Sequence, residues 1–592
     1  MQKILGFLAV VLLIGCGADN TDDPSTAPTP APAGPPVYLE PSEQLLRVSM
    51  ALRGLRPSPD DWDELAADPT AIESIVDRYL DSDAFGVTIR DMHAETLLMR
   101  SETVVLPTLG TLEGEYRGEV HRSVAEAPLM LIEDVVMGDA PYTEIVTADY
   151  MMADSRTSKA WAGISYDEDG PEWQASHWPA GRPEAGILSS SELWVRHISN
   201  GSNYHRQRAN VIADTLLCAT FLDRDIPLDG SIDLSDPEVV AQAVLKEEVC
   251  VGCHQALDPL ASNLWGFRPR IPFFAIGQIY ANGGCDNDEE FTLFNNCFPL
   301  ETYNPQLEVA WDFVGTRPPS YYGLPAGNLG DVGQAIAADP RFSLCAARRF
   351  SSYLTQTEMS AVPYSTVAGL QERFINSGYD AKDLAKAIVL SDTFLAAEEG
   401  ELGRDISGLQ IVRPEQYARF IEDLTGFVWA INADRPNCTL FGNCWGDVDL
   451  GLSDAFGFRS MAGGIDGFFV TRPTHTATPV RSLYTATIAK EAAAFVVDAD
   501  FAEPDPTLRH LLRQVEEGDF AEATVRAQLK TLHLRILGEQ VEAESEEVTE
   551  SYALWESLRQ GTVTGVPPDG DIAHTWSLVI SAMLRDVKTI YY

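Results

Sequence analysis

The sequence predicts a mainly α-helical protein made of several domains. Apolar residues recur at the three- and four-residue spacing of a helix along most of the chain, and the alternation typical of strands is rare. The pairs Ser58-Pro59 and Asp68-Pro69 have the form of a helix N-cap followed by proline in the first turn. With 592 residues, 45% of them apolar, the chain is long enough for three or four domains.

The apolar runs predict the individual helices in order. After Asp68-Pro69, the apolar side chains between Ile72 and Leu80 fall on one face of a helix. Similar runs predict further helices at 85–99, 124–137, 205–219, 365–376, 380–390, 414–426, 480–497, 519–537 and 573–586. Loops are predicted where Gly, Pro, Asn and aromatic residues cluster, at 154–190, 266–330 and 434–475.

The N-terminus predicts export and a lipid anchor. An apolar run from Ile4 to Ile14 ends in Leu-Ile-Gly-Cys16, and this run is too short for a membrane span but suits a signal peptide. Leu-x-Gly-Cys is similar to the bacterial lipoprotein cleavage box, so we expect Cys16 to be acylated, with a plain secretory peptide as the alternative. Residues 17–37 are rich in Pro, Ala and Thr and predict an extended tether. We therefore expect a protein of the cell envelope, anchored to a membrane, and Gly17 favours the outer membrane.

The charge of the chain excludes some partners. There are 88 acidic and 42 basic residues, which gives a net charge of -46. So acidic a protein is not expected to bind nucleic acid or an anionic membrane surface. A basic redox partner would be attracted, although a solvated acidic surface is the simpler interpretation.

The cysteine count indicates disulfides in an oxidising compartment. Of nine cysteines, Cys16 is assigned to lipid and two belong to the motif described next. The remaining six are an even number, which suggests three disulfides, but six cysteines allow 15 pairings. The six are Cys218, Cys285, Cys297, Cys345, Cys438 and Cys444. Cys285–Cys297 and Cys438–Cys444 are each local to one loop, which leaves Cys218 with Cys345; buried free thiols are the alternative.

The segment Cys250-Val-Gly-Cys253-His254 predicts one covalent c-type haem. Two thiols at this spacing can attach to the vinyl groups, and the histidine that follows can bind the iron. A zinc site would need two further ligands nearby, and a redox disulfide would need a thioredoxin-like context, neither of which is present in the sequence. Asp236-Pro237 predicts the start of the preceding helix, and Asp258-Pro259 is expected to turn the chain after the motif.

Together these segments resemble exported cytochrome-c-like domain families of unknown function that are abundant in planctomycetes and myxobacteria. The resemblance begins with "GILSSSELWVRHISNGSNYHRQRANVIADTLLC" (186–218) and "CVGCHQALDPL" (250–260). Residues 127–152 are similar to the helical domain that precedes the haem domain, and 341–395 to the small helical domain that follows it. Residues 412–426 resemble a helix that recurs in the same proteins. The resemblance implies the architecture and the haem, but no substrate.

The predicted domains combine these observations. We expect a lipoprotein signal peptide at 1–16, the tether at 17–37, an N-terminal helical domain at 38–200, a c-type haem segment at 201–275, a disulfide-containing loop region at 276–340, a small helical domain at 341–400 and a C-terminal helical domain at 401–592.

The second axial ligand of the iron is the least defined part of the site. His254 provides one ligand, and a transfer cytochrome closes the other position with His or Met. His197 is the candidate because the resembling proteins carry a histidine in the same segment. Met359 is the thioether alternative, since a Cys218–Cys345 disulfide would bring it near. A histidine unrelated to iron is the simpler interpretation of His197.

These features favour a lipid-anchored c-type cytochrome that transfers single electrons at the cell envelope. A haem enzyme of peroxidase or oxidase type, acting on an extracellular substrate, is the alternative. A helical surface-binding protein with a structural haem is a third interpretation. The sequence contains no Gly-x-Ser-x-Gly, Walker loop or His-Glu-x-x-His motif.

Overall fold

The computed structural model describes residues 36–102, 112, 115–161, 163–197, 199, 203–222, 232–233, 235–267, 303–313, 315–398, 408–432, 446–562 and 571–592. Helices account for 57% and strands for 5% of the structure. The described residues form 24 α-helices and four two-stranded sheets. The predicted mainly α class is confirmed.

The described residues up to 267 form eleven helices and three strands. In chain order they are β1 (Val37–Tyr38), α1 (Pro41–Arg53), α2 (Pro59–Ala67), α3 (Ile72–Leu80), α4 (Asp83–Leu97), α5 (Arg117–Met137), α6 (Glu144–Thr147), β2 (Met151–Ala153), α7 (Ser155–Ala160), β3 (Gln174–Ser176), α8 (Glu192–Val195), α9 (Arg206–Leu217), α10 (Pro237–Lys246) and α11 (Glu248–Ser262). A 3-10 turn at Gly186–Ser189 precedes α8.

The described residues from 303 onward form thirteen helices and five strands. They are α12 (Ala310–Phe313), β4 (Ser320–Tyr321), β5 (Leu324–Pro325), α13 (Leu329–Ala337), α14 (Pro340–Thr355), α15 (Tyr364–Asn376), α16 (Ala381–Val389), α17 (Asp392–Leu395), β6 (Ala396–Glu398), α18 (Pro414–Thr425), β7 (Ala430–Asn432), β8 (Asp447–Asp449), α19 (Phe458–Met461), α20 (Pro479–Ala502), α21 (Glu522–Leu532), α22 (Glu546–Arg559), α23 (Ile572–Met583) and α24 (Val587–Ile590). A 3-10 turn at Pro305–Leu307 precedes α12, and a π-helical turn at His533–Leu537 continues α21.

The helix starts show how far local capping rules hold. Ser58 accepts a hydrogen bond from the amide of Asp61, and α2 begins at Pro59 as predicted. The prediction that a helix begins at Pro69 is wrong, because α3 begins at Ile72. Asp68 accepts hydrogen bonds from both the amide and the hydroxyl of Thr70, so it closes a turn before the helix.

One large hydrophobic core joins distant parts of the chain. It contains buried residues from Leu45 near the start of the described chain to Tyr592 at its end. β1 pairs with β6 in an antiparallel sheet, and Ile411 forms a bridge with Tyr591. A smaller core lies under α5 and α7. No helix among the described residues has the length and apolar character that a bilayer crossing requires.

The helix that carries the haem motif corrects one prediction. Asp258-Pro259 does not turn the chain, because α11 continues through both residues to Ser262. Proline removes one N–H group from the helix ladder. The helix ends three residues later, so only its last turn is affected.

Candidate haem attachment site

Helix α11 presents the three motif residues on one face. Cys250 lies three positions before Cys253 and four before His254, and residues at these spacings are neighbours on a helix surface. Neither cysteine forms a disulfide; Cys250 is half-buried and Cys253 is buried. The two sulfurs and the imidazole are therefore available on the same side of one rigid element.

Asp258 determines the hydrogen position on His254. One Asp258 carboxylate oxygen lies 2.8 Å from Nδ1 of His254, one helical turn away. The same carboxylate accepts hydrogen bonds from Nε and Nη2 of Arg206, at 2.7 and 3.1 Å. Burial would raise the pKa of Asp258, but the hydrogen bonds from His254 and Arg206 outweigh burial and lower it. An ionised carboxylate can only accept, so Nδ1 carries the hydrogen and the lone pair of Nε2 is free for a metal.

Helix α9 supports this arrangement from one side. It packs against α11 and α14, and it supplies Arg206. Ala213 of α9 and Phe221 beyond its end form a small apolar cluster with Cys253. At the end of α9, Cys218 forms a disulfide with Cys345 of α14. The disulfide anchors α9. Because Arg206 of α9 binds Asp258 and Asp258 binds His254, the disulfide indirectly supports the orientation of the His254 ring.

The pairing of Asp258 with His254 is not among the sequence predictions. The spacing of four positions is compatible with it, but proline after Asp258 favours the end of the helix at that point. Arg206 had no comparable sequence signal, since its contact with Asp258 depends on the packing of two helices.

His197 is related to the motif through contacts of α9. It is buried and follows α8 in the chain, and its backbone carbonyl accepts a hydrogen bond of 3.0 Å from Nε of Arg208. Arg206 and Arg208 are two positions apart on α9 and so point to different sides of that helix. His254 is connected through Asp258 to Arg206 on one side of α9, whereas His197 is connected to Arg208 on another side of the same helix. The assignment of His197 as the second axial ligand stays a prediction.

A second buried histidine, His205, was not singled out from the sequence. Nη1 of Arg208 lies 3.1 Å from Nδ1 of His205, and the ring edge contacts Trp265. A guanidinium can only donate, so Nδ1 accepts and the hydrogen is on Nε2. Burial, followed by the charge of Arg208, holds the pKa of His205 well below its usual value. Its tautomer is thus the opposite of that of His254.

The assignment of Met359 as the thioether alternative stays a prediction, and the disulfide constrains its position only through the length of α14. Cys345 lies in the first half of α14, whereas Met359 follows the end of that helix. The ten residues from Cys345 to Thr355 span about 15 Å of helix. The opposite end of α14 packs near the C-terminus, where Gln356 donates a hydrogen bond to the carbonyl of Ile411.

The remaining predicted positions lie outside the described residues. These are the lipidation residue Cys16 and the cysteines Cys285, Cys297, Cys438 and Cys444.

The donor set of α11 fits haem c. Two cysteines outside any disulfide on one helix face match the two covalent links, and Nε2 of His254 is in the tautomer that could bind iron. Among the described parts of the chain, no group of three or more His, Cys, Asp or Glu side chains is arranged to hold a metal ion by itself.

Comparisons with known proteins give no family for the chain: no family model, no curated protein and no solved structure matches it.

Proposed function

We propose that the protein carries one covalent haem c and transfers single electrons at the cell envelope. Cys250 and Cys253 would hold the porphyrin, and His254 would bind the iron. The observation that carries the proposal is the Asp258–His254 hydrogen bond, because it leaves Nε2 free on the same helix face as the two thiols. Acylation of Cys16 would anchor the protein to a membrane, and the net charge of -46 favours a basic redox partner.

Exposed apolar side chains near the motif support a bound apolar group. Leu222, next to the Phe221 that contacts Cys253, is 81% exposed, and α10 exposes Val239 and Leu245. α10 packs directly against α11. A porphyrin bound to α11 would cover apolar side chains that are exposed on the neighbouring segments.

The group and the chain would have separate tasks. Haem supplies an iron that gains and loses one electron. The chain fixes the porphyrin through two thioethers, and Asp258 keeps the ring of His254 in one orientation while Arg206 balances the carboxylate charge. A fixed ligand geometry is what a transfer protein needs.

A haem enzyme is the second candidate, and Asp258 favours it. A carboxylate on the far nitrogen raises the basicity of a ligand histidine, which stabilises the oxidised iron that peroxide chemistry requires. Carbon monoxide and peroxide distinguish the two candidates. An iron with two protein ligands leaves the absorbance unchanged, whereas an open iron changes it. A structural haem would be neither reduced nor oxidised by mediators at useful rates.

The proposal is tested by producing the full chain in a host that matures c-type haem. We expect one haem per chain that stays on the polypeptide in acidic organic solvent. Cys250→Ser and Cys253→Ser together should release it, and His254→Ala should alter the spectrum of the haem that remains attached. Freely extracted colour in the wild type would overturn the proposal.

Two histidine variants complete the same experiment. His197→Ala should add carbon monoxide binding if His197 closes the second axial position. His177→Ala is the matched control, because the side chain of His177 is 67% exposed and lies on another segment. An unchanged spectrum for His197→Ala would remove that residue from the site without affecting the covalent attachment.

A further inference from the structure

A serine, a histidine and a carboxylate are joined by hydrogen bonds in the C-terminal helices. Oγ of Ser551 on α22 lies 2.9 Å from Nε2 of His533, and Nδ1 of the same ring lies 2.6 Å from the carboxylate of Glu539. A hydroxyl, an imidazole and a carboxylate joined in this order can turn the hydroxyl into a nucleophile. The proposed haem site uses none of the three residues.

A π-helical turn brings the histidine and the carboxylate together. The turn runs from His533 to Leu537 and ends at Gly538, whose φ is 72°. The amide of Glu539 donates a hydrogen bond of 3.1 Å to the carbonyl of His533, which returns the backbone of Glu539 to the start of the turn. A Cβ atom at Gly538 would lie 3.2 Å from a methyl group of Leu46, so the turn is closely packed. Single π-helical turns are rare and are frequent at functional sites.

The carboxylate of Glu539 determines which nitrogen of His533 carries the hydrogen. Glu539 also forms an ion pair with Lys588. An ionised carboxylate can only accept a hydrogen bond, so Nδ1 of His533 carries the hydrogen. The lone pair of Nε2 therefore faces the hydroxyl of Ser551, which donates to it.

The charges around His533 leave its ring neutral. Burial lowers the pKa of His533, and the ammonium group of Lys588 acts in the same direction. Glu547, through its backbone and its carboxylate, and Asp586 act in the opposite direction, but burial outweighs them. A neutral imidazole with a free lone pair is the form that takes up a proton from a hydroxyl.

The hydroxyl of Ser551 is not used by its own helix. A Ser or Thr inside a helix commonly donates to the carbonyl four residues earlier, as Thr549 of α22 does to Ser545, at 2.7 Å. The side chain of Ser551 makes no such bond, and His533 is its hydrogen-bond partner among the described residues. Ser551 is half-buried, whereas only 6% of the His533 side chain is exposed. The order of exposure is the one that a nucleophile and its base require.

We propose that Ser551 is a nucleophile that hydrolyses small carboxylic esters, with His533 as the general base and Glu539 as a positioning residue. The proton of the hydroxyl moves to Nε2 as the Oγ–C bond forms, and it passes from Nε2 to the leaving oxygen as the ester C–O bond breaks. Water then gives a proton to Nε2 and attacks the acyl-serine. The acid is released, and Oγ regains the proton.

The surroundings of Ser551 define the esters that suit it. Leu554 follows three positions later on the same helix and is 37% exposed, so it offers an apolar contact to a short acyl group. The amides near Ser551 are already bonded within α22, so water stabilises the negative charge that develops on the carbonyl oxygen. We therefore expect slow turnover and a preference for esters with a good leaving group.

The test uses the full-length protein and two probes. Diisopropyl fluorophosphate labels activated serines, and mass spectrometry locates the adduct; p-nitrophenyl acetate reports hydrolysis. We expect one adduct, on Ser551. Ser551→Ala should abolish the adduct and lower the rate above the uncatalysed background by about 100-fold. His533→Gln should have the same effects although the hydroxyl is still present.

Ser557→Ala is the matched control, because Ser557 is another half-buried serine of α22. Its substitution should leave labelling and hydrolysis unchanged. Circular dichroism shows whether His533→Gln is folded, and Ser551→Ala decides if it is not. The absence of an adduct on Ser551, or equal hydrolysis by Ser551→Ala and Ser557→Ala, would overturn the proposal.

Glu539→Gln tests the positioning role separately. An amide stabilises the protonated ring of His533 less than a carboxylate does. The pH of half-maximal hydrolysis should therefore be lower in this variant than in the wild type, which a purely structural role would not produce. An identical pH profile would remove Glu539 from the site.

Discussion

Asp258 illustrates how one side chain defines the chemistry of another. His254 can bind a metal through Nε2 only while Nδ1 carries the hydrogen, and the carboxylate of Asp258 enforces this. At His205 a guanidinium in the equivalent position enforces the opposite tautomer. Two histidines near α9 thus differ in their capacity to bind iron because of the sign of one neighbouring group.

The residue-scale prediction is that Asp258→Asn raises the reduction potential of the proposed haem. The carboxylate makes the imidazole a stronger electron donor and so stabilises the oxidised iron. Loss of a charge-assisted hydrogen bond is worth about 1.5–3 kcal/mol, or on the order of 65–130 mV for a one-electron couple. Spectroelectrochemical titration measures the potential, and the haem should stay covalently attached.

Asp383→Asn serves as the control for this shift. Asp383 also pairs with an arginine, Arg373, but on α15 and α16. Its substitution should leave the potential within experimental error. An identical potential in the wild type and in Asp258→Asn would show that the carboxylate does not act on the iron.

At the scale of the helices, the sequence predicted most of what the structure contains. The runs at 205–219, 365–376 and 414–426 match α9, α15 and α18 to within one or two residues. Apolar periodicity depends only on neighbouring positions, so it survives without tertiary information. α1, α13, α14 and α22 were not predicted as individual helices. The ion pair of Arg206 and Asp258 was not predicted either, since the two residues are far apart in sequence and meet only through the packing of two helices.

The element-scale prediction concerns the disulfide that joins α9 to α14. Cys218 and Cys345 are 127 residues apart, and cross-linking so long a segment restricts the unfolded chain. The chain-entropy relation gives roughly 5 kcal/mol for this length, and measured losses for native disulfides are about 2–5 kcal/mol. The double variant Cys218→Ser/Cys345→Ser should therefore lose stability in denaturant titrations.

Reductant provides the control within the same experiment. It should destabilise the wild type by a similar amount, whereas the double variant has no Cys218–Cys345 bond for the reductant to break. Equal stability of the oxidised wild type and the double variant would show that the link does not contribute. The spectrum of the haem should also broaden in the double variant, because α9 supplies Arg206 to the site.

At the scale of the whole molecule, one core links the chain from Leu45 to Tyr592, so a titrating group in that core affects the stability of the whole unit. Helix α4 carries two such groups that act in opposite directions. Burial lowers the pKa of His93 to about 4, and burial raises the pKa of Glu95 to about 7 in spite of its ion pair with Arg413. Burial thus favours the neutral form of both side chains in the folded protein.

The last prediction follows from the sign of these two shifts. The folded pKa of His93 lies below its unfolded value of 6.5, so the unfolded chain binds the proton more tightly. The contribution of His93 is fully present above pH 6.5 and is lost as the pH falls toward 4, by about 3 kcal/mol in total. The folded pKa of Glu95 lies above its unfolded value of 4.5, so its contribution is present below pH 4.5 and is lost as the pH rises through 7.

In the wild type the two effects oppose each other. His93→Gln removes the first, so relative to the wild type its free energy of unfolding should improve on acidification from pH 6.5 to 4. Glu95→Gln removes the second and should improve, relative to the wild type, as the pH rises from 4.5 to above 7. Denaturant titrations at a series of pH values measure both differences, and the two variants serve as controls for each other because their differences should change in opposite directions with pH. Parallel profiles for the wild type and His93→Gln would show that His93 is protonated in the folded protein at its ordinary pH, and that the core around α4 admits water.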